Sequence, residues 1–417
     1  MSPVHSLSAP SFGSRHRRAL PTTVRLFPEC PDVISPIHEV RDPAPVADPR
    51  GNLSDRPTTD CPPASLARRG SQDRPNGPIG QAAAPLVGIA RLAASSPPAE
   101  TRRKSTERPE YFMLPVRSIL NRCDSDRVPF EWTINPYRGC EFACKYCYAR
   151  YTHEYMELDG GEFEKKIYVK QDAGALLARD VARKYSYASE SSGGTQSEHI
   201  AIGTATDPYQ PAEREYGVTR ACLEELAKRE GLSVSLITKS DQIVRDIDVL
   251  KRIAERSDLA IDITVTTLRP RLARLLEPRA PRPDLRLAAV RQLREAGISA
   301  GVFAAPILPG LTDREADLDA LARAAREADA QWFGGNVLFL MPASLKQFLP
   351  FLEEKFPKLA RQYHEWYGRG GYAPETYRKE MSALVRKLRE KYGLGSRPES
   401  TAGQVWQSPQ IALNLSD

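Results

Sequence analysis

From His199 to Leu340 the chain alternates short apolar, β-rich runs with amphipathic helical stretches, and nothing else in it constrains the fold as tightly. The runs are His199–Thr204, Ser233–Thr238, Leu259–Thr266, Ile298–Ala304 and Trp332–Leu340. Helical patterns fall around and between them at Ala173–Tyr185, Thr219–Glu230, Asp241–Arg256, Leu285–Ala296 and Asp313–Ala328. Such alternation is the signature of a parallel β/α sheet. Phe130–Asn135 adds a strand ahead of them, which makes roughly six β/α units, fewer than the eight of a closed barrel. The expected fold is α/β, a partial (β/α)6 TIM-type barrel.

Between the first expected strand and the rest lies Asn135-Pro-Tyr-Arg-Gly-Cys140-Glu-Phe-Ala-Cys144-Lys-Tyr-Cys147-Tyr148. Three cysteines at C-x3-C-x2-C spacing fall within eight residues, and Gly139 lets the backbone turn closely enough to aim three thiolates into one volume. A four-iron cluster held by three cysteines leaves one iron open to a substrate or cofactor. The competing reading is a structural zinc site, which wants four Cys/His ligands closed around the metal. His153 and Cys123 are the nearest candidates for a fourth, and neither sits at a common zinc-finger spacing.

At these residues the chain resembles the radical S-adenosyl-L-methionine (SAM) enzymes, whose signature is this spacing with an aromatic, here Tyr146, before the last cysteine. The resemblance implies a [4Fe-4S] cluster on Cys140, Cys144 and Cys147, with the methionyl amine and carboxylate of SAM on the fourth iron. It implies reductive cleavage of SAM to a 5′-deoxyadenosyl radical, the protein positioning this chemistry rather than performing it. The same partial (β/α)6 barrel is implied. A reductant such as flavodoxin or ferredoxin is the implied partner.

In parallel β/α folds ligands sit at the carboxyl ends of strands, so polar residues there are candidate contacts. Thr206 and Asp207 follow the second strand, Lys239 the third, and Thr266 with Thr267 end the fourth. The prolines of Pro208-Tyr-Gln-Pro211 stiffen the first of these loops. Lys239 at a helix N-terminus opposes the macrodipole, which favours a functional ammonium over a surface one. Ile307 and Leu308, in the Pro306–Gly310 loop, are candidates to pack on adenine.

Together with Leu276-Glu-Pro278 and Pro306–Asp313, these stretches look like the spore-photoproduct-lyase-like branch of the radical SAM proteins, over about Phe130 to Met341. Carried across residue by residue, Tyr146, Tyr148, Lys239 and Thr266 surround SAM. Tyr148 is also the candidate catalytic residue, its counterpart relaying hydrogen atoms in the lyase. That enzyme returns hydrogen from a cysteine at the position of Thr204 here, with Ala205 beside it. A hydroxyl is a far poorer hydrogen-atom donor than a thiol, so the resemblance leaves the photoproduct reaction itself open. Cys222, on the following helix, reads as packing. Hydrogen abstraction from a substrate, with nucleic acid and DNA repair as candidate settings, is the expected function; an iron–sulfur or zinc binding module is the alternative.

Outside this core the sequence carries little chemistry. Residues 1–108 hold seventeen of the thirty-five prolines and fifteen Lys/Arg against ten Asp/Glu, so they carry +5 of the net +6. The remainder is nearly neutral, which makes basicity poor evidence for nucleic-acid binding by the catalytic body. The segment 1–108 reads as a disordered extension, with one apolar patch, Ala82–Ala94, and with Cys30 and Cys61 as unligated thiols. Tyr111–Leu120 reads as a short segment leading into the cysteine loop, with a small helical element over Leu114–Asp124 as the alternative. Residues 109–342 form the expected core domain, and 343–417 a helical extension with helices at about Ala343–Tyr367 and Pro374–Tyr392 and a loose end from Gly393. Seven cysteines with three in one ligand set fit a reducing cytoplasm rather than a disulfide framework. No apolar run is long enough to span a membrane.

Overall fold

The computed structural model describes residues 88–99, 109–123, 128–191, 198–368 and 370–398. Ten strands fall within them: β1 Glu110–Leu114, β2 Leu120–Arg122, β3 Trp132–Ile134, β4 Tyr137–Arg138, β5 Lys166–Lys170, β6 His199–Ile202, β7 Ser233–Thr238, β8 Asp258–Thr264, β9 Ala300–Ile307 and β10 Phe333–Val337. The main sheet runs β10-β9-β8-β7-β6-β3-β2. Six of its strands, β3 and β6 to β10, are parallel, and β2 closes one edge antiparallel to β3. This is the partial (β/α)6 barrel expected from the alternation.

The register explains why these runs form strands. Ile134 pairs with Ile202, Ile202 with Leu236, Leu236 with Ile261, and Ile263 with Val302. All are buried in one continuous core that also takes the inner faces of the helices Ala173–Ser191, Val218–Leu226, Ile247–Ala254, Pro283–Glu295 and Glu315–Glu327. The strands are buried along nearly their whole length, which is why they read as near-continuous apolar runs.

Five features depart from the sequence reading. Leu114–Cys123 is extended rather than helical, because its amides are engaged elsewhere. Asp180 accepts hydrogen bonds from Ser118 Oγ and from the amides of Ile119 and Leu120, at 2.8, 2.9 and 3.3 Å. Second, the apolar patch in the extension is partly folded. A helix at Gly88–Ser95 buries Ala93 against Leu114, Met156 and Tyr168, which gives its apolar face the partner that composition did not reveal. The other residues of 1–108, apart from 96–99, lie outside the described ones.

Third, the stretch expected as one helix is two, Pro342–Lys355 and Pro357–Tyr367, broken where Pro357 withholds a backbone donor. The final helix, Glu375–Lys391, stands as expected. Fourth, residues 393–398 are docked, while 399–417, the rest of the expected loose end, lie outside the described residues. Gly395 bridges to Trp332 beside β10, and Arg397 Nε lies 2.7 Å from the buried carboxylate of Asp262. Fifth, a second sheet of β1, β5 and β4, in that order, was not anticipated and lies next to the cysteine loop in sequence.

Candidate functional site

The cysteine loop leaves β4 through Gly139, whose φ of +86° is a conformation that glycine adopts freely. A Cβ there would lie 2.7 Å from the Lys166 carbonyl and 2.8 Å from that of Phe163. Ala143, between the first two cysteines, takes a positive φ of 57°. The loop is then gripped from several elements. The Gly139 carbonyl accepts from Thr206 Oγ1 at 2.7 Å and Gln210 Nε2 at 3.1 Å, while the Glu141 amide donates to Gln210 Oε1 at 2.9 Å. Arg150, 1 % exposed, donates to the Cys144 carbonyl at 3.1 Å and pairs with Glu164. Ser344 Oγ, from the first C-terminal helix, donates to the Cys147 carbonyl at 2.7 Å.

Cys140 and Cys144 are buried and Cys147 is half-buried. Burial pushes all three thiols up, Cys144 to about 12, with Lys239 pulling the other way on Cys144 and Arg150 on Cys147. Thiols in that state are inert nucleophiles at neutral pH. As cluster ligands they would give up those protons and bind as thiolates. Among the described residues no three His, Cys, Asp or Glu side chains are arranged around a single ion. A four-iron cube does not require that arrangement, since each thiolate takes its own iron. The residues present fit a cluster better than a closed zinc site, and His153 does not complete one. Its ring is fully buried, Nε2 lies 3.0 Å from the Lys166 carbonyl, and burial lowers its pKa to about 4.

The strand-tip residues converge on this loop. The carboxylate of Asp207 accepts from Thr238 Oγ1 at 2.6 Å, the Tyr209 amide at 2.9 Å and the Lys239 amide at 2.8 Å. Thr206 and Asp207 therefore act by locking the loops after β6 and β7 to the cysteines, with their side chains engaged inside the protein. The Lys239 ammonium stands 5.9 Å from the Tyr146 ring centroid. Burial opposes its charge, but Cys144 and then Glu277 more than offset that and raise its pKa. The Tyr146 hydroxyl lies 3.1 Å from Thr266 Oγ1. Ile307 and Leu308 are spent in the core at 1 % and 0 % exposure, which removes them as adenine contacts.

Tyr148 is exposed, and its hydroxyl donates to the Thr204 carbonyl. Asn135 orders the same turn, with Nδ2 3.1 Å from Thr204 Oγ1 and Oδ1 accepting the Ala205 amide at 2.7 Å. Cys222 is 1 % exposed in the main core, as its position on a helix suggested. Sequence reasoning assigned no role to Asn135, Gln210, Arg150, Glu277 or Arg286. Asn135, Gln210 and Glu277 lay within stretches already singled out, but a single polar residue beside a strand or helix end gives no sign of what it will hold.

Comparison with known proteins agrees with this geometry. The model of the radical SAM superfamily matches residues 134–322, from the end of β3 to the last crossover helix. The chain belongs to the radical SAM superfamily, whose cofactors are a [4Fe-4S] cluster and S-adenosyl-L-methionine. It is 33 % identical over 296 residues to an uncharacterized protein of Mycobacterium tuberculosis, covering 69 % of this chain and 84 % of that one. A second relative, an uncharacterized protein of Methanocaldococcus jannaschii, is 30 % identical over 185 residues, covering 44 % and 63 %. Among solved structures, spore photoproduct lyase complexed with dinucleoside spore photoproduct matches with a TM-score of 0.51 and 19 % identity, over 68 % of this chain and 80 % of that one. A mutant of the lyase with AdoMet and the same dinucleoside bound matches at 0.50 and 17 %, over 76 % and 86 %. This likeness is one of fold.

Proposed function

We propose that Cys140, Cys144 and Cys147 hold the cluster, that SAM binds beside it between Tyr146, Lys239 and Thr266, and that the enzyme abstracts hydrogen from its substrate. The observation that carries this reading is the set of three cysteines, two buried and one half-buried, on one clamped loop at the carboxyl ends of six parallel strands and beside the Lys239 ammonium. When bound, the two cofactors supply one-electron cleavage of a sulfonium and a carbon radical. The chain's own residues orient and exclude. Lys239 offers a cation for a carboxylate, Tyr146 walls the site, and Thr206, Asp207 and Gln210 keep the loop from relaxing. Anaerobic reconstitution followed by dithionite and SAM tests the reading through release of 5′-deoxyadenosine. A filled cluster that yields none overturns it, and Cys144→Ala is expected to lose both the iron and the product.

The finer reading is a lyase-like reaction on nucleic acid, in the cytoplasm, with flavodoxin or ferredoxin as reductant. What supports the substrate class is a row of tyrosines leading outward from Thr204. Tyr148 and Tyr151 have ring centroids 6.4 Å apart, Tyr151 and Tyr155 5.5 Å, and Tyr148 and Tyr155 are 36 % and 42 % exposed. Exposed aromatic rings stack bases, at about 1–3 kcal/mol per base. Loss of single-stranded oligonucleotide binding in Tyr155→Ala, read by fluorescence anisotropy, tests this. Unchanged binding removes the row from the argument.

A further inference from the structure

Glu277 follows the helix Pro270–Leu276 and is 2 % exposed. Its Oε1 accepts from the Tyr146 hydroxyl and from Thr266 Oγ1 at 2.6 Å, and its Oε2 from Arg286 Nη2 at 2.5 Å. Arg286, 1 % exposed, is itself fixed by the carbonyls of Pro281 at 2.8 Å and Thr264 at 3.1 Å. The backbone around Glu277 grips the same cysteine loop. The Lys145 amide donates to the Leu276 carbonyl at 2.8 Å, and the Arg279 amide to the Phe142 carbonyl at 3.2 Å.

A buried carboxylate and its guanidinium partner thus stand against the loop that carries Cys144, and the Lys239 ammonium lies 5.9 Å from the Tyr146 ring of the same loop. Burial alone pushes the Glu277 carboxyl up, but Arg286 and then Lys239 outweigh it and hold the group ionised.

We propose that Glu277 is a positioning residue that also sets the reduction potential of the cofactor site, tying Tyr146 and Thr266 to one point while its charge offsets Arg286 and Lys239. The inference rests on the assignment of Cys144 as a cluster ligand above. A fixed negative charge in a poorly solvated site raises the cost of adding an electron nearby, and removing it leaves two cations in excess.

Glu277→Gln keeps the shape and one acceptor oxygen but deletes the charge. The test compares cluster midpoint potentials of the reconstituted full chain by EPR-monitored redox titration, with iron and sulfide content alongside. Glu277→Gln is expected to titrate at a more positive potential than wild type. Tyr146→Phe, which leaves every charge in place, is expected to stay near wild type. An unmoved or more negative potential in loaded Glu277→Gln overturns the proposal, as does an equal shift in Tyr146→Phe. If Glu277→Gln takes up no cluster, Arg286→Gln carries the test from the other side. A more negative potential supports the proposal, and no shift overturns it. A wild-type chain that binds no cluster overturns the cofactor-site reading and this inference together, whereas a loaded wild type with an insensitive Glu277 removes this inference alone.

Discussion

The phenol of Tyr148 donates its hydrogen to the backbone carbonyl of Thr204, while the Thr204 hydroxyl is held by Asn135. The exposed phenol directly after the last cysteine is therefore fixed at the strand tip where the Thr204 side chain stands. A phenol O–H is weaker than an alkyl O–H, so of these two hydroxyls Tyr148 is the better hydrogen source.

Tyr148→Phe follows from that contact. SAM cleavage measured as 5′-deoxyadenosine should continue, and conversion of a substrate should fall by about tenfold or more, the scale of a lost transition-state contact. Parallel loss of both activities would instead mean that Tyr148 supports the cofactor site.

Gly139→Ala should damage the loop from which the cysteines hang. The added methyl meets two carbonyls at under 3 Å in a backbone conformation that alanine resists. Destabilisation of about 1–3 kcal/mol is expected, with reduced iron uptake at equal protein concentration. Denaturant melts of the apoprotein and iron assays check the two halves separately.

Lys170 on β5 is 5 % exposed, and its amine falls from 10.5 to about 7, chiefly by burial, with Arg138 pushing further down. Below pH 7 folded and unfolded chains both carry the proton, and the folded chain bears the whole cost of burying it. Between pH 7 and about 10.5 the unfolded chain binds more protons, so this group's contribution to stability climbs with pH. Lys170→Met should be more stable than wild type at pH 7, on the order of a few kcal/mol. The gap should narrow as the pH rises through that window. Thermal melts of both proteins across the range decide it, and a gap independent of pH would refute the assignment.

Arg397→Ala should expose how firmly the C-terminal segment is docked. It leaves Asp262 buried with only Trp332 Nε1, 2.8 Å away, as donor. Because Arg397 is 28 % exposed, a loss of roughly 1–3 kcal/mol is expected rather than the larger cost of breaking a fully enclosed pair. Asp262→Asn in the Arg397→Ala background should recover part of it, as urea unfolding will show.

The barrel was legible because its strands are buried on both faces, and Ser233–Thr238 matched to the residue. The cysteine spacing is itself a local pattern, so the candidate ligand set could be named without the fold. The small sheet was not, because β5 is a five-residue run flanked by lysines whose partners, β1 and β4, lie far away or are two residues long. The break at Phe356–Pro357 was missed although proline marked it, since the apolar pattern continues across it. Glu277 stood in a stretch already noted, but its role depends on Arg286 and Tyr146 arriving from other elements, which no local pattern encodes.

The Gly139 carbonyl, with its two donors, has a consequence for genetics. Thr206 and Gln210 also contact each other, at 3.0 Å, so removing either leaves the other able to restrain the same oxygen. One-at-a-time mutational scans would then score both positions as tolerant, and only the paired substitution would reveal their shared task through strong negative epistasis.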